Sequence, residues 1–224
     1  LTVGKGAGQN GGNVFVQAGT GTDNGGNVVM TSGIGRTSGE INISSSQSND
    51  ASGNVRFSSG ASNQKSGSVH IFSGSSNSTS SGDVTVGSSA SGADGPSGAV
   101  SIFTGDATSG SSGGIRMATG ASQDGPGGDI ELIVGSGVDE NGGDVKVSAG
   151  ASDGSDGGEV SIVSGSSSSS MTGSVMIESA DGPVTGSVRL TTGASNEDRS
   201  GSILLRTGES SSSSAGNIVM AVGA

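Results

Sequence analysis

The residues able to do chemistry are few. His70 is the single histidine, set between Val69 and Ile71. A histidine that serves as general base needs a nucleophile within hydrogen-bond reach and a third group to orient it. No serine nucleophile, second histidine or acidic partner lies at a recognisable spacing from His70, which therefore reads as a surface residue. Carboxylates occur in pairs at Asp139/Glu140, Asp153/Asp156 and Glu197/Asp198. Such pairs suit glycoside hydrolysis or calcium ligation, but these stand in loops of varying length and sequence and read as solvated acidic turns. The Gly/Asp calcium repeat of secreted β-rolls is missing, and loops such as GSSSSSMTG hold no aspartate. No cofactor is expected, and calcium in the acidic loops would be sporadic. Gly4-Lys5-Gly6 and Gly19-Thr20-Gly21 open no helix and carry no phosphate-site Lys-Ser/Thr, so they read as turns. Two tripeptides match the N-glycosylation acceptor pattern, Asn42-Ile43-Ser44 and Asn77-Ser78-Thr79. Asn77 falls in a loop and is the candidate for modification, whereas Asn42 falls in the middle of an expected strand.

The elements that position these residues must be built from unusual material. The 224 residues include 46 Gly, with 29% hydrophobic and 2% aromatic residues and no Cys, Trp or Tyr. Gly/Ser-rich chains of this kind border on disorder, and no run of amphipathic helix at period 3.6 is present. A compact α or α/β enzyme is thereby disfavoured. The net charge of -11, with nine Lys plus Arg, argues against nucleic acid or an anionic membrane surface as partner. No apolar run is long enough to span a bilayer, so no membrane insertion is expected. The beginning LTVGKGAG has neither an initiator Met nor a signal-peptide apolar region. With strand-like residues at both ends, the sequence reads as a segment of a longer array or a subunit whose ends meet other subunits. Without cysteine there is no disulfide scaffold and no thiolate metal site.

A repeat runs through the whole chain. Apolar pairs of the form V-x-V begin at positions 14, 28, 41, 55, 69, 84, 100, 115, 130, 145, 160, 175, 188, 203 and 218, a spacing of 13 to 16 residues that is most often 15. The pairs are mostly β-branched, as in Val69/Ile71 and Val160/Ile162, and alternation of that kind marks a short strand with one buried face. The next alternate position is small: Ala18, Ser59, Ser73, Thr104, Thr119, Ala149, Ser164, Thr192, Thr207. A glycine usually follows, then a polar stretch ending in Gly or Gly-Gly, as in ASDGSDGG, with the residue types that favour turns.

These features predict one all-β domain over residues 1–224, a parallel β-solenoid of about 15-residue units. Parity favours two units, hence two short strands, per coil. The position after the second apolar residue is Phe72, Phe103, Ile133 and Val163 in alternate units, but Gly87, Ala118 and Ser148 between them. About eight coils at the spacing of parallel strands would stack into a rod roughly 40 Å long.

Outward rows of such a solenoid are the expected site of function. Phe72, Phe103, Ile133 and Val163 form a candidate interaction stripe, because a contiguous exposed apolar patch commonly marks a contact surface. Arg56, Arg116 and Lys146, in a row with Thr85, form a candidate basic row able to meet acidic loops of another copy.

In repeats such as GGDVKVSAGAS and GSVRLTTGAS the chain resembles the Gly/Ser-rich β-solenoid arrays of extracellular fibrous, adhesin-like and cell-surface proteins, including repeat proteins of algal and other microbial surfaces. The resemblance implies a non-enzymatic structural or adhesive protein, extracellular or on the cell surface, that self-associates end to end or laterally. A surface polysaccharide or a neighbouring surface protein is the alternative partner. An ice-binding protein is the other functional class, although the regular outward Thr-x-Thr face it needs is missing. A carbohydrate-active parallel β-helix would need aromatic residues to stack on sugar, and four Phe alone do not supply them.

Overall fold

Alternating β-branched residues favour extended backbone and Gly/Ser stretches favour turns; among the described residues the bends fall in the Gly/Ser stretches, and no regular element is built from the segments between them. The computed structural model describes Val3, residues 10–138 and residues 141–223. Among the described residues there is no helix and no β-strand. The expected parallel β-solenoid, with two strands per coil and about eight coils, is therefore overturned: the chain is loop-rich, with straight segments that pair with nothing. A solenoid requires each coil to lie against the next, and residues twelve or more positions apart seldom approach one another here.

The physical reason lies in the side chains. Alternate positions offer two or three apolar groups per unit, separated by long Gly/Ser loops, so the area gained by stacking one unit on the next falls short of the entropy of ordering the loop between them. Among the described residues none is buried. The accessible surface is 22667 Å² for a 21.0 kDa chain. A folded monomer of that mass exposes about 9,000 Å² and an unfolded one about 30,000 Å², which places this chain much nearer the second.

Local order nonetheless recurs in both units into which the chain divides, Leu1–Ile115 and Arg116–Ala224. In the first, the Gly26 N–H donates to the Gly19 carbonyl at 2.9 Å, Gly39 to Gly33 at 3.1 Å and Gly82 to Gly74 at 3.3 Å. In the second, Gly158 donates to Gly150 and Gly173 to Gly165, both at 2.9 Å. Each bond closes the neck of one loop. Beside the neck, the later glycine lies against the small residue that precedes the earlier one: an added Cβ on Gly26 would sit 3.3 Å from Ala18 Cβ, and one on Gly173 would sit 3.4 Å from Ser164 Cβ. The only half-buried residues among those described, Ala18, Ser32, Ser164 and Thr207, all hold this small position.

Serine hydroxyls fold the loops inside their necks. Ser152 Oγ accepts from the Ser155 N–H at 3.1 Å, Ser167 Oγ from Ser170 at 2.9 Å, Ser195 Oγ from Asp198 at 3.2 Å and Ser210 Oγ from Ser213 at 3.0 Å. In the first unit Ser62 Oγ accepts from Gln64 and Ser76 Oγ from Thr79. These are the local hydroxyl-to-backbone bonds that compete with regular secondary structure, and here they win.

One turn has no room for a methyl group. A Cβ on Gly21 would lie 2.1 Å from the Asn24 carbonyl oxygen, whereas one on Gly19 meets nothing within 4 Å. Gly21→Ala should therefore open the neck held by Gly26 and Gly19, and Gly19→Ala should leave it closed. Amide exchange at Gly26, read by NMR, is expected to quicken about two- to tenfold in Gly21→Ala alone, the effect of losing one exposed hydrogen bond.

Candidate interaction surface

The straight segments present the apolar pairs openly and with little variation. The first member of each pair is between 47% and 59% exposed, and the second between 55% and 91%. The inward faces expected from the alternation are thus solvent-facing surfaces. The difference within a pair comes from position: the first member stands two residues after the neck glycine, as Val28 follows Gly26 and Val160 follows Gly158, and the second stands further out. Among the described residues these segments make no backbone–backbone hydrogen bond, since the five found there all close loops.

The candidate stripe does not come together in the way a sheet would have arranged it. Phe72, Phe103, Ile133 and Val163 are each 80% exposed or more. Phe72 stacks on His70, with ring centroids 5.9 Å apart and planes at 15°, and not on Phe103. Its neighbours Phe57, Val69, His70 and Ile71 line an open, almost wholly apolar hollow of about 330 Å³. His70 is thus an exposed ring flanked by apolar groups, in keeping with its reading as a surface residue.

The basic row is likewise not a sheet feature. Lys146 Nζ lies 3.0 Å from Asp144 in its own segment, both side chains being well exposed. An ion pair of this kind contributes under about 1 kcal/mol. The other pair among the described residues, Arg206 with Glu209 at 2.9 Å, lies at a loop entrance. Arg56 and Arg116 stand exposed on their segments.

Of the carboxylate pairs, Asp153/Asp156 and Glu197/Asp198 lie in exposed loops. Asp139, Glu140, Lys5 and the glycines beside Lys5 lie outside the described residues. No group of three or more His, Cys, Asp or Glu able to hold a metal ion occurs among the described residues. No helix among them is long and apolar enough to cross a membrane.

Sequence reasoning passed over the serine two places after the neck glycine. Its signal is plain in hindsight, in Gly60-Ala61-Ser62, Gly74-Ser75-Ser76, Gly150-Ala151-Ser152, Gly165-Ser166-Ser167 and Gly193-Ala194-Ser195. It also passed over Ser32, which holds the half-buried small position of its unit.

Comparison of the chain with protein families, with curated proteins and with solved structures found no match.

Proposed function

We propose that this is a non-enzymatic structural protein of the cell exterior that works by association of its own copies into a filament or surface layer. The observation that carries the reading is the exposed apolar pair, repeated at a near-constant interval in each of the two units. Area of this kind drives association at about 25 cal/mol per Å² removed from water. A second copy of the chain has the same interval, so each pair laid against it meets another pair, and many weak contacts act together through their shared linkage. Extended segments with open backbone donors and acceptors invite edge-to-edge pairing with the neighbouring copy.

Electron microscopy of the protein at rising concentration, with light scattering on the same samples, tests the proposal. Filaments or sheets that form above a threshold concentration are expected. Single dispersed chains at every concentration would remove the reading, and thermal hysteresis in such a sample would move the chain to the ice-binding class.

A further inference from the structure

We infer that Asn77 is the N-linked glycan acceptor of this chain and that Asn42 is not; the inference rests on the extracellular reading. Both tripeptides are exposed, so burial does not separate them. Local geometry does. The chain bends at residues 77–79, and the bend is held by one hydroxyl: Ser76 Oγ accepts from the Thr79 N–H at 3.0 Å and from the Ser78 N–H at 3.4 Å. Asn77 stands at the crest of this bend, with Ser on either side.

Asn42 stands on a straight segment between Ile41 and Ile43, which are 47% and 55% exposed. A transferase must close around the acceptor amide and the hydroxyl two residues on. A projecting polar bend admits this, and an unbent segment with an isoleucine on either side of the acceptor does not. Thr79 Oγ1 lies 3.1 Å from Ser76 Oγ, a single solvent-exposed contact whose release costs about 1 kcal/mol, so the acceptor hydroxyl is readily freed. A glycan here is a bulky, solubilising surface group that leaves from the loop, on the far side of the neck from Val69/Ile71 and Val84/Val86.

The test is translation of the full chain, with a secretory leader and a C-terminal reporter acceptor tripeptide added, into microsomes. The readout is the number of glycosidase-sensitive shifts in mobility. Two shifts are expected, one from the reporter and one from the chain. N77Q should remove the second and N42Q should retain it. The inference is overturned if a modified reporter is accompanied by no second shift, or if the second shift survives N77Q. Either result leaves the assembly reading standing, since that depends on the apolar pairs. Failure to assemble leaves the Asn77 result standing in turn.

Discussion

Ile162→Asn should raise the concentration at which copies associate by about ten- to a hundredfold. Ile162 is 70% exposed in the free chain, and association has to cover it. Covering an aliphatic side chain of this size contributes about 1.5–3 kcal/mol, and each 1.4 kcal/mol is about tenfold in a binding constant. Asparagine is chosen over aspartate because it removes the apolar group without adding to a net charge of -11. The chains are produced in a host without N-glycosylation, because this substitution completes an acceptor tripeptide with Ser164, as Ile102→Asn does with Thr104. The same substitution at Ile102, in the other unit, should have a similar effect, and the two should add in free energy because the sites share no partner. Ser169→Asn, in a loop, is the control and should leave the threshold in place. Light scattering across a dilution series measures the parent, the three single variants and the Ile162→Asn/Ile102→Asn double variant. Equal thresholds in Ile162→Asn and the parent would show that the apolar pairs are not what the copies bring together.

The second large effect is electrostatic. Identical copies that each carry -11 repel, and raising the ionic strength from 0.01 to 0.15 M shortens the screening length from about 30 to about 8 Å. Assembly should therefore strengthen with salt. It should also strengthen with acid. Bringing carboxylates together favours proton uptake, so the assembled state holds more protons than the dispersed one, and linkage makes assembly more favourable as pH falls toward the isoelectric point near 4.2. A threshold measured at three salt concentrations and across the acid range gives both slopes. A threshold that rises with salt would point the other way, to ion pairs between acidic loops and Arg56, Arg116 and Lys146 as the dominant contact.

What the sequence showed of this molecule is its interval, and what it concealed is that among the described residues no strand pairing joins one interval to the next. The pairs Val69/Ile71 and Val160/Ile162 lie on segments free of bends, but the strands that their β-branched types favour do not form. Ala18, Ser164 and Thr207 fill the tightest position in their units, as small residues should, though a loop neck and not a neighbouring coil packs against them. The alternation of Phe72, Phe103, Ile133 and Val163 with small residues is real, yet it encodes no sheet. Alternation states which residues share a side of a strand; whether that side is covered within one chain depends on whether its area outweighs the entropy of ordering the Gly/Ser loops between units, and at these intervals it does not. The serine turns were legible in the Gly-Ala-Ser recurrence but looked like filler, because hydroxyl-to-backbone bonds leave no periodic apolar trace.

The loop necks carry a consequence for how such a chain can change. Each closure, from Gly26 with Gly19 to Gly173 with Gly165, begins and ends within one unit, and the span it closes ranges from Gly39 with Gly33 to Gly82 with Gly74 without altering the segment that follows. A unit duplicated or deleted in the gene takes its own bonds with it and strands no partner elsewhere. Copy number is then a ruler and not a constraint: the chain's length is written in how many times the phrase is repeated, and a recombination slip edits length alone.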